Sequence, residues 1–165
     1  DVCTDSRTLK KGDLFIALGE PLQAVRHYDQ WVVAHAQEAD MYVVLNARCW
    51  ARALSNAELD EALDDCNQAL DARPREAAYL DSRGLVHLRR EQWKSAIADY
   101  DAALAINPKQ AWSLWGRGLA RMRLGARDQG LADIAAAKAV QASIEADAGH
   151  HGLEVPASAQ VEAQR

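Results

Sequence analysis

Small and apolar residues return along this chain at a fixed interval. Between Ala77 and Gln110 they stand at Gly84, Ala96, Tyr100, Ala103 and Leu104, and the stretch closes on Asn107-Pro108. One interval later come Leu114, Gly118, Ile134 and Ala137; one earlier come Ala62, Cys66, Ala69, Leu70 and Pro74. Aligning LNARC, LDSRG and LWGRG puts Leu45, Leu80 and Leu114 in register, with Cys49 where the others carry Gly84 and Gly118. That register needs one extra residue in the turn at Ser55-Asn56-Ala57, which a loop tolerates. Each unit then reads as two antiparallel helices. Small residues at its eighth and twentieth positions let the helices approach, and a proline near the end stops the second one, having no N–H to continue the ladder.

The spacing of Gly84, Trp93, Ala96, Ala103 and Pro108 resembles a tetratricopeptide repeat, a helix–turn–helix unit with a period of 34 residues. LNARCWARAL resembles the bacterial branch of that family, and the likeness covers about two-thirds of the chain. It implies an all-α fold, a right-handed superhelical solenoid of antiparallel helix hairpins with about four repeats. The expected division is a degenerate repeat and linker over 1–41, repeats over 42–76, 77–110 and 111–148, and a disordered tail over 149–165.

The N-terminal stretch has two readings. TDSRTLKKGDLFIALGE resembles the opening segment of the Mur ligases of peptidoglycan synthesis, where an equivalent Asp-Ser-Arg lies in the small domain that holds a uridine nucleotide. The likeness ends after that segment, and the chain has no glycine-rich loop with Lys and Ser/Thr to cradle phosphates. The favoured reading is a degenerate first repeat that starts at Asp5, with Gly12, Phe15, Gly19 and Ala24 at the small or apolar positions. Pro21 would begin its second helix, where proline is tolerated. Leu22, Val25, Tyr28 and Val32 recur at helical spacing there. Trp31 takes the place of the usual alanine, so the next repeat should stand outward across a longer linker, Ala36–Met41.

At the other end, the last helix is expected to run to about Asp147. Gly149-His150-His151-Gly152 breaks it, and EVPASAQVEAQR is a polar run with little to bury. No separate C-terminal helix is evident; Lys138, Gln141 and Glu145 would let the fourth repeat cap itself.

The 165 residues are 49% hydrophobic and 26% charged, with a net charge of −5, which reads as one globular domain without the basic surface a nucleic acid needs. No apolar run reaches the length of a membrane span, so no membrane insertion is expected. The chain lacks an initiator Met and a leader, which suggests a fragment or processed product, and its compartment, cytoplasmic or periplasmic, is left open. No nucleophile elbow, metalloprotease helix or zinc-type cysteine pairing is present. His150-His151 reads as exposed spacer rather than a ligand pair. The expectation is therefore no enzyme, no cofactor and no metal.

Cys49 and Cys66 fall on the two helices of one hairpin. The plainer reading is two buried thiols; the alternative is a disulfide, which requires an oxidising compartment. Cys3 has no evident partner. Arg48, Arg83 and Arg117 share the seventh position of their repeats, and Asp65, Asp99 and Asp133 share the twenty-third, which predicts the ion pairs Arg48–Asp65, Arg83–Asp99 and Arg117–Asp133.

Family geometry implies a concave groove lined by the first helix of each repeat. Here it would present Val43, Asn46, Trp50, Ala53 and Leu54, then Ala78, Asp81, Leu85, Leu88 and Arg89, then Trp112, Trp115, Leu119, Met122 and Arg123. The Lys/Asn/Arg carboxylate clamp of chaperone-docking relatives is absent, since its positions hold Leu9, Asp13, Ala47, Ala78 and Ser82. The expected ligand is a protein or peptide segment anchored by Trp50, Trp112 and Trp115, with Trp115 exposed because its sister positions are polar Asn46 and Asp81. The resulting function is a non-catalytic interaction scaffold. The alternative is the repeat appendage of a larger enzyme, one of the cell envelope included.

Overall fold

A computed structural model describes residues 20–35 and 39–156. The Mur-like stretch and the first helix expected from Asp5 lie outside the described residues. The described residues form eight helices in order: α1 Pro21–Ala34, α2 Met41–Ser55, α3 Leu59–Ala72, α4 Ala77–Arg89, α5 Trp93–Ile106, α6 Ala111–Arg123, α7 Arg127–Val140 and α8 Ile144–His150. Consecutive helices pack together, and α2, α4 and α6 also pack side by side as one layer. The described residues contain no strand and no helix long and apolar enough to cross a membrane.

Proline and the turns set the helix ends. Pro21 occupies the first turn of α1, where its missing N–H breaks no bond. The turns from first to second helix need left-handed backbone, taken by Glu91 (φ 58°) and Gly125 (φ 83°) in the later repeats. The extra residue in the α2–α3 turn doubles that demand: Asn56 and Glu58 both have positive φ. Glu58 is held there by Arg52, whose Nε donates to its carboxylate at 2.8 Å.

Within each hairpin the eighth and twenty-fourth positions touch, and the chain fills that contact in two ways. A Cβ on Gly84 would stand 2.8 Å from the Tyr100 ring, and one on Gly118 would stand 2.8 Å from the carbonyl oxygen of Gly130 and 3.0 Å from Ile134. Both separations are too short for a real methyl, so glycine admits the large partner. In the first complete repeat the same positions hold Cys49 and Cys66, joined as a disulfide with Cα atoms 5.6 Å apart. That spacing suits a bridge. The expectation of two buried thiols is therefore corrected: the contact that elsewhere seats a bulky side chain over glycine brings two medium-sized ones within bonding reach.

The arginines at position seven grip the aspartates at position twenty-three with both ends of the guanidinium fork. Arg48 Nε and Nη2 donate to Asp65 at 2.8 and 2.7 Å, Arg83 to Asp99 at 2.8 and 2.7 Å, and Arg117 to Asp133 at 2.9 and 2.6 Å. The remaining Nη1 reaches back one repeat, to Asp29, Asn67 and Asp101 at 3.0, 3.1 and 2.8 Å. Each arginine thus ties its own hairpin together and ties it to the preceding one. Asp29 lies on α1 at the position the Asp5 register assigns, so α1 takes part in the ladder as α3 and α5 do. Arg52 and Arg121 add a second cation to Asp65 and Asp133 at 2.5 and 2.8 Å, and His87 takes the equivalent place beside Asp99 at 3.7 Å.

Because these aspartates are buried, truncating one partner strands the other. A double-mutant cycle on Arg83→Ala and Asp99→Ala in urea unfolding should show a coupling of about 1–3 kcal/mol. Additive single effects, as for independent surface charges, would contradict the pairing.

The C-terminal end departs from expectation. Helix α7 stops at Val140, and a separate short helix, α8, follows a turn. Lys138 and Glu145, expected to cap the fourth repeat from its surface, pair at 2.6 Å across that turn, and Gln141 donates to Asp147 at 2.7 Å. The described part of the tail, 149–156, is not a free polar run: it begins within α8. Leu153 and Val155 are buried in the main core together with Ile144 and Ala148. The composition of the tail is polar, but two aliphatic residues one apart suffice to bury it.

Candidate functional site

The layer formed by α2, α4 and α6 brings Trp50, Leu85, Leu88, Trp112 and Trp115 around one small void. Trp50 meets Trp112 edge to face, with ring centroids 5.3 Å apart, a favoured geometry because the positive edge of one ring faces the negative face of the other. Both rings keep part of their surface exposed.

The void is closed by the chain itself. Helix α8 ends with Gly152 in the left-handed region at φ +66°, and the amide of Leu153 donates back to the Ala148 carbonyl at 3.0 Å. That helix stop, in which glycine takes the conformation a Cβ would strain, turns residues 151–155, the strap, back onto the layer of α2, α4 and α6. Leu153 enters the Trp-lined void. Its carbonyl accepts from Trp115 Nε1 at 2.9 Å. Two residues earlier, the His151 carbonyl accepts from Arg89 Nη2. Arg89 is anchored independently, donating from Nε to the Ala53 carbonyl at 3.0 Å and from Nη2 to that of Leu54 at 3.2 Å, at the C-terminal end of α2. Burial holds its guanidinium below the usual arginine value. The His151 ring lies tilted over Trp112 at 6.4 Å, and burial, then the Arg89 charge, lowers its affinity for a proton.

Two clefts flank this strap. One of about 760 Å³ runs between the start of α1, at Pro21 and Leu22, and the His150–Gly152 turn. The other, of about 160 Å³, lies between the strap and Trp93, Leu119 and Arg123.

The expected groove residues therefore divide. Trp50, Arg89, Trp112 and Met122 are partly open to solvent. Leu85 and Leu119 are on it but buried. Asn46 is half-buried, with an enclosed Oδ1 that makes no hydrogen bond. Trp115, against the expectation of an exposed ring, is 1% exposed. Here the indole supplies a buried surface beside Leu153 and a donor to its carbonyl.

Asp81, expected to face a ligand, is instead sealed between repeats, accepting from Ser113 Oγ of α6 and from the Gln110 side chain. Desolvation raises its pKa from 3.8 to about 7, against those two bonds. The sign follows directly. Between these values the folded state holds a proton that the unfolded state has released, so this group's contribution is complete below 3.8 and is lost as pH rises to about 7. The displacement corresponds to about 4 kcal/mol. Asp81→Asn, which keeps an acceptor for Ser113, should gain on the native chain by a few kcal/mol from pH 4 to 7 and hold that gain above it. Urea titrations at four pH values check this; parallel profiles for the two chains would contradict it.

Comparison with known proteins agrees with this geometry. Residues 84–125 match the model of the TPR repeat. No curated protein matches the chain. Among solved structures, a thermophilic TPR protein of Thermus thermophilus superposes with a TM-score of 0.73 at 19% identity, over 89% of this chain and 80% of that one. MamA from Desulfovibrio magneticus RS-1, residues 41 to the end, gives 0.65 at 20% identity, over 95% and 84%. The first TPR domain of the human RPAP3 protein gives 0.60 at 21% identity, over 75% and 95%. The chain thus carries a match to the TPR repeat over 84–125 and shares the all-α solenoid fold of TPR proteins, and such repeats generally mediate protein–protein interaction.

Proposed function

We propose that this protein is a non-catalytic scaffold whose concave face, built by α2, α4 and α6, holds a segment of a partner protein. One observation carries the reading. The face already holds a non-helical segment, residues 151–155, through two main-chain carbonyls and a buried aliphatic side chain. Donors aimed at carbonyls are sequence-tolerant, since every residue supplies one. The half-exposed pair Trp50 and Trp112 supplies the aromatic surface that binding hot spots favour.

A photo-crosslinking residue placed at Trp112 tests this, with Gln68, exposed on α3, as the control. In lysate of the source cells, position 112 should yield an adduct with another protein and position 68 should not. Adducts at 68 with none at 112 would move the interaction to another face.

A further inference from the structure

We propose, resting on the scaffold reading above, that the groove selects extended segments with two large aliphatic residues separated by one residue, and that the strap 151–155 is the built-in competitor for it.

The strap shows the recognition chemistry directly. Leu153 and Val155 are buried while Glu154 between them is exposed, the alternation that extended backbone produces. Pro156 biases Val155 toward that backbone. The two recognised carbonyls, of His151 and Leu153, are also two residues apart, so main-chain and side-chain spacing agree. Glu154 shares the smaller cleft with Arg89 and Arg123, which suits an acidic or neutral residue between the aliphatic pair. Arg89 remains fixed by the α2 carbonyls whatever lies in the groove, so the site is set before a ligand arrives.

The strap is a weak occupant by construction. It fills the groove with a few residues and leaves a cleft open on each side. A longer partner segment of the same pattern can use Leu22 and Pro21 on one side and Trp93 on the other. What the strap has is proximity. Tethered through Gly152, it is present at an effective concentration in the millimolar range, and it reduces the apparent affinity of any competitor by the fraction of molecules in which the groove is covered. A partner then binds strongly only when it offers contacts beyond Leu-x-Val.

Fluorescence anisotropy with a labelled peptide, His-His-Gly-Leu-Glu-Val-Pro-Ala, tests this on the full chain. The peptide should bind Leu153→Ser/Val155→Ser about ten-fold or more tighter than the native chain, and a peptide with Ser at both aliphatic positions should bind neither. Should that double variant lose its helical spectrum, Gly152→Val replaces it: the side chain opposes the left-handed φ and frees the strap while Leu153 and Val155 stay intact. Equal binding to native and variant chains, or no binding to a folded variant, would overturn the proposal. Failure here with adducts still formed at position 112 would remove this ligand pattern and leave the scaffold; failure of both would remove the scaffold.

Discussion

Replacing Trp115 with alanine lowers the unfolding free energy by about 3–5 kcal/mol. The indole is 1% exposed, borders the void that Leu153 enters, and donates to the Leu153 carbonyl. Its removal leaves a cavity under the strap and an acceptor without its donor, and the two losses add. Trp115→Phe separates them: most of the packing survives, the hydrogen bond does not, and the cost falls to about 1–2 kcal/mol. Urea unfolding monitored by circular dichroism gives both values. A Trp115→Ala chain as stable as the native one would return the indole to an exposed binding role and sever the strap from the core.

Reducing the Cys49–Cys66 bond lowers stability by about 3 kcal/mol, since the loop it closes has a sequence separation of 17 and its contribution scales with the entropy removed from the unfolded chain. For a chain of this size that is a fall in Tm of about 10 °C. The effect is local in origin but reaches the ends of the solenoid, because stacked repeats share their stability with neighbours. Thermal scans with and without reductant measure it, and Cys49→Ala/Cys66→Ala should show no response to reductant. Alkylation of both Cys49 and Cys66 in unfolded protein prepared under oxidising conditions would contradict the bridge.

Much of the fold is legible because repetition converts one weak pattern into several. Arg83 beside Asp99 alone would be two surface charges among many; the same offset at Arg48 and Arg117 marks a contact. The backward arm to Asp29, Asn67 and Asp101 is equally periodic, and comparing the twenty-fifth positions would have found it. The disulfide was also within reach. Gly84 under Tyr100 and Gly118 under Ile134 show that positions eight and twenty-four meet, and Cys49 with Cys66 are the residues at those positions.

The strap has no such signal. Leu153-Glu154-Val155 is too short for a period to show, and its burial depends on where α8 ends rather than on composition. Trp115 followed the same logic in reverse. Comparison with Asn46 and Asp81 marks it correctly as unusual, but an aromatic at a polar sister position fits an external ligand and an internal one equally well. Asp81 shows the cost of reading a position by family geometry alone: the carboxyl turns toward Ser113, between repeats, where hydrogen bonds offset part of its desolvation.

That residues 151–155 cover the face built by α2, α4 and α6 is tested most directly by nuclear Overhauser contacts in the 165-residue chain. Cross-peaks should link the Trp115 indole to the Leu153 methyl groups, and the Trp115 Nε1 proton should exchange slowly because it is bonded to the Leu153 carbonyl. Random-coil shifts for residues 151–155, with a rapidly exchanging Trp115 indole proton, would show an open groove and contradict the account.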